Sequence, residues 1–207
     1  MILPIRLYPH VGLQQKSLPV PLDQISSEPV QQLIDDMIET MYSAFGIGLA
    51  AVQVGFLYRI IIVDVPGANA RQPTKLHVLI NPEIVATLTS TGNSPQREGC
   101  LSIPGVYEAV ARPDYIKVRF YDRGGELREM EADGLLCRAL DHEIEHLEGI
   151  SVLDKVSRLK RNLGTKAMKV AKYPTTRSRY SRSDNPLVER ALPPMSERLF
   201  LSSPANE

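Results

Sequence analysis

The residues best suited to chemistry are two histidines and a glutamate in the segment HEIEH, residues 142–146. On a helix, positions i and i+4 face the same way, so His142 and His146 can present two imidazole nitrogens to one metal ion. Glu143 lies one step around the helix, where it can handle the proton of a water molecule without being a ligand itself. The alternative is a helix with two surface histidines at a coincidental spacing. The apolar run LLCRAL just before them favours burial, and the segment therefore predicts a metal site for hydrolysis.

The third protein ligand is not expected downstream, where zinc peptidases have it. The longer peptidase pattern needs a histidine at the position of Val152, and the other route needs a glutamate on a later helix. Residues 155–172 contain no glutamate, and the next one is Glu189. Upstream, Cys100 lies in the segment REGCLSIPG, residues 97–105. One thiolate and two imidazoles leave a fourth tetrahedral position for water, which is typical of catalytic sites.

Length and composition limit the class of protein and its compartment. A chain of 207 residues suits one ordinary domain, and 24 basic residues balance 24 acidic ones, so no overall field favours DNA or a membrane surface. No apolar stretch approaches the roughly 18 residues of a membrane span, and the N-terminus lacks the pattern of a secretory signal. Two cysteines are too few for a disulfide framework, and Cys137 is interpreted as a core residue. The sequence therefore predicts a cytoplasmic protein.

Apolar spacing and β-branched runs predict the elements that position these residues. Helices are predicted over 28–45, 134–148 and 155–172, and strands over 58–65, 76–85, 115–121 and 126–131, the last two forming a hairpin. The segment GIGLAAVQVG, residues 46–55, is too rich in glycine and small residues to be a good helix or strand by itself. Strands followed by one buried helix predict an α+β fold, with antiparallel or mixed sheets around a central metal-binding helix.

The C-terminal part divides into a basic helix and a tail. A basic helix is predicted over 155–172, and its inner apolar stripe consists of Val156, Leu159, Leu163, Ala167 and Val170. Residues 173–207 are dominated by proline, serine and arginine without a period, which predicts a loosely attached tail. The basic face of the helix is either a solvated surface or a site that docks on ribosomal RNA; the second alternative predicts salt-dependent ribosome binding.

Three separated segments resemble the peptide deformylase family. They are GIGLAAVQ (46–53), EGCLS (98–102) and HEIEH (142–146), in the order and at the spacing usual for that family. The resemblance covers residues 1–172 and is greatest to the ordinary bacterial class, in which EGCLS is followed by IPG. Agreement of three motifs is much more specific than any one of them.

The resemblance implies removal of the formyl group from the N-terminal methionine of nascent polypeptides, with formate and a free amine as products. It implies one divalent metal ion held by Cys100, His142 and His146. The ligand types permit Zn²⁺, Fe²⁺, Ni²⁺ or Co²⁺, and the resemblance favours Fe²⁺.

The resemblance also implies roles for residues around the metal. Glu143 is expected to take the proton of the attacking water and to deliver it to the departing amine. The backbone N–H of Leu101 and the side-chain amide of Gln53 are expected to donate hydrogen bonds to the oxyanion. The expected substrate-binding residues are Gly48, Arg97, Gly99, Leu135 and Ala139.

Two positions depart from the usual family pattern, and they keep an alternative open. Glu145 stands where aspartate is customary, and Asp141 stands where glutamine often precedes the first histidine. A catalytically weak or inactive metal-binding protein is therefore one alternative. A cysteine hydrolase with Cys100 as the nucleophile is another, but it leaves Glu143 and one histidine without a role.

Overall fold

Seven strands, three α-helices and four short 3₁₀ helices are present in the computed structural model, which describes residues 1–66, 74–90 and 94–170. The strands are β1 (Gly48–Ala50), β2 (Ile60–Val65), β3 (Lys75–Leu88), β4 (Gln96–Gly99), β5 (Tyr107–Val110), β6 (Tyr115–Tyr121) and β7 (Leu127–Asp133). The helices are α1 (Glu28–Ser43), α2 (Gly134–Leu147) and α3 (Arg158–Val170). Five strands form an antiparallel sheet in the order β1-β2-β3-β6-β7, and β4 pairs with β5 in a separate small sheet. The predicted α+β fold is confirmed.

The large sheet is covered by a helix on each face, which explains the apolar run at the start of strand β2. Successive side chains of a strand point to opposite faces. Ile60 and Ile62 belong to the core cluster that contains the buried face of α1. Ile61 and Val63 belong to the cluster that contains the apolar residues of α2. All four are fully buried, so the sheet holds α2, with its histidines, rigidly against β1 and β2.

The predicted hairpin and strands lie close to their predicted positions. In the hairpin, Tyr121 pairs with Leu127 across the turn at residues 122–125. The segment 46–55 differs from its prediction, because it contains β1 and a 3₁₀ helix over Ala51–Val54. Pairing with β2 makes a strand of residues that have little strand tendency of their own.

The predicted inner stripe of the C-terminal helix is wrong at Leu159, Leu163 and Ala167, which are exposed. Leu159 and Leu163 are 69% and 58% exposed, and the residue that packs inward is Gly164. A Cβ atom at Gly164 would lie 2.9 Å from Leu153, so the absence of a side chain lets α3 approach the body closely. The helix begins at Arg158, not at 155. Residues 171–172 and the predicted tail, 173–207, lie outside the described residues.

No helix in the described part of the chain has the length and apolarity needed to cross a membrane.

Candidate metal centre and active site

The end of strand β4 and one face of helix α2 bring the three predicted metal ligands together. Cys100 directly follows β4, and His142 and His146 occupy successive turns of α2. The Cys100 Sγ lies 3.2 Å from Nε2 of His146. One ligand atom from each of the three residues lies within 4.8 Å of the others. The two imidazole rings meet edge to face, with centroids 4.9 Å apart.

The electrostatics of this cluster suit a thiolate and imidazole ligand set. Burial opposes ionisation of Cys100, but His146 and His142 together lower the pKa of its thiol well below the usual value. The thiolate is the form of cysteine that binds metal. Because soft sulfur and imidazole nitrogen are ligands for Zn²⁺, Fe²⁺ and related ions, the donor set fits a divalent transition metal.

A buried arginine that sequence analysis missed lies behind the ligands. Arg112 is 2% exposed, and its guanidinium contacts three carboxylates. It donates to Glu98 at 2.5 and 3.1 Å, to Asp141 at 2.8 Å and to Glu145 at 2.6 Å. Its Nη2 also lies 3.3 Å from Nδ1 of His142. The two departures from the family pattern, at positions 141 and 145, therefore both meet the same guanidinium.

Glu98 links Arg112 to the metal ligands. Its Oε1 lies 3.2 Å from Nδ1 of His142, and Arg138 contacts its Oε2 at 3.3 Å. Burial raises the pKa of Glu98, but the hydrogen bonds of His142 and Arg112 outweigh it and lower that pKa to about 2. A carboxylate on Nδ1 orients the imidazole so that Nε2 faces the metal. This residue belongs to the EGCLS motif, so its position beside Cys100 could have predicted the role.

Hydrogen bonds at both the oxygen and the nitrogen of its amide fix the side chain of Gln53. Its Oε1 accepts a hydrogen bond of 2.8 Å from the backbone N–H of Ala50. Its Nε2 donates to Ser102 Oγ at 3.2 Å and lies 3.5 Å from Cys100 Sγ. The NH₂ group therefore points toward the metal cluster. Leu101 follows Cys100, and its side chain packs against the core cluster that includes α1.

Glu143 is a buried carboxylate beside the ligands. It is 5% exposed, and its Oε2 has no hydrogen-bond partner among the described residues. Burial raises the pKa of Glu143. A carboxylate whose pKa is raised, and one of whose oxygens has no hydrogen-bond partner in the described residues, is suited to accepting and returning a proton.

Gly48 lies against this carboxylate, and we predict that Gly48→Ala inactivates the site. An added Cβ would come closer to Glu143 Oε1 than real Cβ contacts allow, so the carboxylate would have to move. Loss of a correctly placed base costs about 10²–10⁴-fold in rate. The measurement is kcat on a formylated peptide, the substrate that the sequence resemblance implies. Gly124→Ala is the matched control, since its Cβ would meet only Asp122 Oδ1, at 3.3 Å on an exposed turn. Equal activity of the two variants would contradict the prediction.

Two of the three ligands, Cys100 and His142, line a cavity of about 510 Å³. All five predicted substrate-binding residues line it, and so do Cys100, Leu101, Gln53, His142 and Glu143. Leu135 and Ala139 supply apolar lining, and Arg97 is an exposed lining residue. Gly99 has a packing role as well, because a Cβ there would lie 2.8 Å from the ring of Tyr107. The cavity is large enough for an amino-acid side chain and part of a peptide.

The family model described as polypeptide deformylase matches residues 2–162. The chain belongs to the peptide deformylase family. Peptide deformylases are metal-dependent hydrolases of protein biosynthesis that remove the N-formyl group from nascent peptides, and this chain has that activity. The alternative of an inactive metal-binding protein finds no support.

Similar peptide deformylases cover nearly the same length. That of Thermodesulfovibrio yellowstonii is 48% identical over 171 residues, which is 83% of this chain and 99% of the relative. That of Mesorhizobium japonicum is 43% identical over 168 residues, 81% of this chain and 92% of the relative. The crystal structure of the Legionella pneumophila peptide deformylase has a TM-score of 0.76 at 35% identity and covers 86% of this chain and 99% of its own. The Synechococcus elongatus peptide deformylase, solved in complex with actinonin, has a TM-score of 0.71 at 38% identity, with 81% and 88% covered.

Proposed function

We propose that this peptide deformylase uses Fe²⁺ held by Cys100, His142 and His146, and that it acts in the cytoplasm on nascent chains that begin with formyl-methionine. The observation that carries the proposal is the convergence of the three ligand atoms, within 4.8 Å of one another, at the cavity that Glu143 also lines. When bound, the ion lowers the pKa of water and polarises the formyl oxygen. Zn²⁺, Ni²⁺ and Co²⁺ would also satisfy the donor set.

Binding of the substrate is proposed to begin at strand β1. This strand is an edge of the large sheet, and Gly48 lines the cavity. An extended peptide can add to such an edge through backbone hydrogen bonds, and a glycine allows its close approach. The methionine side chain then lies against Leu135 and Ala139. Arg97 stands at the rim, where its charge reaches groups beyond the first residue.

Proton transfer is assigned to Glu143. Its free Oε2 takes the proton from the attacking water, and the same carboxyl group delivers it to the nitrogen of the departing amine. The raised pKa of Glu143 supports this double role, since a group that both takes and gives a proton works best near the ambient pH. Formate and the free amino terminus are the products.

Stabilisation of the oxyanion is assigned to Gln53 and Leu101. The amide of Gln53 is held by Ala50 and Ser102 so that its NH₂ faces the metal cluster. The backbone N–H of Leu101 is the second donor. A neutral amide donates without adding a charge, and loss of one such donor costs about 3–4 kcal/mol of transition-state stabilisation.

An anaerobic assay tests this function. Protein loaded with Fe²⁺ should release formate from formyl-Met-Ala-Ser and leave the unformylated peptide intact. A chelator should abolish turnover. Turnover that persists in fully metal-stripped protein would instead support a thiol hydrolase with Cys100 as nucleophile. Metal analysis of protein purified without oxygen gives the native ion, and zinc in place of iron would overturn that part of the proposal.

The two departures predict weaker metal retention than the usual residues would give. Asp141 and Glu145 add carboxylates around Arg112, which also binds the orienting residue Glu98. Changes in groups that orient metal ligands alter affinity by about ten- to a hundred-fold. We therefore expect Asp141→Gln with Glu145→Asp to lower the metal dissociation constant, measured by competition with a chromogenic chelator. Unchanged affinity and turnover in the double variant would remove this prediction.

Docking on the ribosome through helix α3 is also proposed, with a smaller basic surface than the sequence suggested. Lys160 and Arg161 pair with Glu108 and Asp154 at 3.0 and 3.2 Å, and Lys155 pairs with Glu145. These residues attach the helix to the body. Arg158 and Lys166 are exposed and remain candidates for RNA contact.

Charge reversal at exposed residues of α3 tests ribosome binding without breaking the ion pairs that attach α3 to the rest of the protein. We expect Arg158→Glu with Lys166→Glu to weaken ribosome co-sedimentation and to reduce its salt dependence, because each phosphate contact contributes to that dependence. The control is Arg128→Glu, on strand β7 and exposed. Equal binding of all three proteins, or binding that persists without residues 155–207, would overturn the proposal.

A further inference from the structure

Phe45 occupies a backbone position that normally belongs to glycine. Helix α1 ends two residues earlier, and the φ of Phe45 is +56°. The N–H of Gly46 donates to Met41 O at 2.9 Å and that of Phe45 to Tyr42 O at 3.0 Å, which is the pattern of a helix end closed by a left-handed residue. Asn81 is the other non-glycine residue with positive φ in the described part of the chain, and asparagine tolerates that conformation much better than phenylalanine does.

Packing within the protein does not explain the phenylalanine. Its side chain is 97% exposed, so the ring gains almost nothing from burial that could offset the unfavourable backbone. Strained residues of this kind concentrate at functional sites. Phe45 lines the active-site cavity, which agrees with such a role.

Other exposed apolar side chains surround the same opening. Ile47, Leu135 and Tyr107 line the cavity and are 39%, 48% and 59% exposed. Together with Phe45 they form a group of exposed apolar side chains in the cavity lining. Apolar side chains grouped at the mouth of a cavity are typical of a surface that binds a ligand.

The place of Phe45 in the cavity indicates which part of a substrate it can contact. Gly48 lies against Glu143 and therefore marks the reacting end. Phe45 lies in the turn that precedes β1, and it lines the same cavity as Gly48. A peptide paired along β1, with its formyl-methionine at Gly48, therefore has the residues after the methionine available to contact Phe45.

We propose that Phe45 is a specificity-determining residue that binds an apolar or aromatic side chain at the second or third position of the formylated substrate. This inference rests on the proposed function. The phenylalanine ring supplies an apolar contact surface for the substrate, which glycine could not supply. Its left-handed backbone in turn makes the end of α1 less stable than glycine would. Stability and specificity therefore conflict at this residue, and one substitution should move them in opposite directions.

The test compares peptides and variants. Formyl-Met-Ala-Ser is the reference, and formyl-Met-Phe-Ser and formyl-Met-Ala-Phe carry the aromatic residue at the two positions. We expect the wild type to have a higher kcat/KM on at least one aromatic peptide. In Phe45→Gly that preference should fall about two- to tenfold, through KM, as the loss of an aromatic contact predicts. Phe45→Leu should keep part of the preference, and Phe45→Asn should lose it.

A second readout excludes a purely structural role. Phe45→Gly should raise the melting temperature, because glycine relieves the left-handed backbone. Tyr42→Ala removes an exposed aromatic ring of α1 that does not line the cavity, and it should keep the preference. An unchanged preference in Phe45→Gly, or an equal loss on all peptides with a lower melting temperature, would overturn the inference. If the wild type releases no formate from any of the three peptides, the proposed function itself has failed.

Discussion

Replacement of Glu143 by glutamine is expected to lower kcat on formyl-Met-Ala-Ser by about 10²–10⁴-fold, the range lost when a general base and acid is removed. Glutamine keeps the size of the side chain but cannot take up the proton. Because Glu143 is not among the three ligands, the variant should bind metal in the same amount as the wild type. Formate release and metal content are the two measurements.

The glutamate that directly follows the same helix provides the control. Glu148 is at the end of α2 and pairs with Arg59 at 2.5 Å and with Lys16 at 2.7 Å. Glu148→Gln should keep kcat within about twofold, since a partly exposed ion pair contributes at most about 1 kcal/mol to stability and nothing to the chemistry. A Glu143→Gln variant as active as Glu148→Gln would show that the proton is moved by another group.

Replacement of Arg112 by methionine is expected to cost about 3–5 kcal/mol of the free energy of unfolding, the range for removing one partner of a buried ion pair. The side chain of Arg112 is 1% exposed, and its removal leaves the carboxylates of Glu98, Asp141 and Glu145 without their shared cation. Glu98 would also lose the group that holds it against His142. Urea unfolding of the metal-free protein measures the loss.

A double-mutant cycle distinguishes the charge from the packing of Arg112. Asp141→Asn removes one carboxylate, so Arg112→Met should cost less in that background than in the wild type. Arg119→Met is the surface control: Arg119 pairs with Glu129 at 3.0 Å and is 47% exposed, so its loss should cost under about 1 kcal/mol. Additive effects of the Arg112 and Asp141 substitutions would contradict a shared charge cluster.

The local part of the site was predictable because its geometry follows from helix periodicity. His142 and His146 are four residues apart on one helix, which fixes their common direction before any tertiary contact is known. Cys100 required more: its thiol made it a candidate ligand, but only the family resemblance brought its segment and α2 to one metal ion. The structure brings the three together, and the eight other predicted catalytic and substrate-binding residues line the same cavity or its edge.

Arg112 was missed because nothing in its local sequence is periodic. It lies between β5 and β6, in a segment with no motif of its own. A signal was nevertheless present: Glu98, Asp141 and Glu145 lie on the two segments that were expected to converge on the metal. Three carboxylates brought together in a buried region require a cation. That cation could have been sought among the arginines and lysines of the sequence.

Strand β4 was not predicted and the inner face of α3 was predicted wrongly, and both have tertiary causes. The sequence QREG has little strand tendency, and it becomes a strand only through pairing with β5. The C-terminal helix was oriented by its large apolar residues, but Gly164 allows closer contact with Leu153 than a leucine would. The spacing of apolar side chains does not predict a contact in which a glycine lets two backbones come close.

X-ray absorption at the zinc edge of zinc-loaded protein tests the central claim most directly. Coordination by Cys100, His142 and His146 predicts one sulfur at about 2.3 Å and two imidazole nitrogens at about 2.0–2.1 Å, with a further light atom. In Cys100→Ser the sulfur scattering should disappear. A wild-type spectrum without sulfur, or one in which Cys100→Ser retains it, would contradict the assignment of the metal centre.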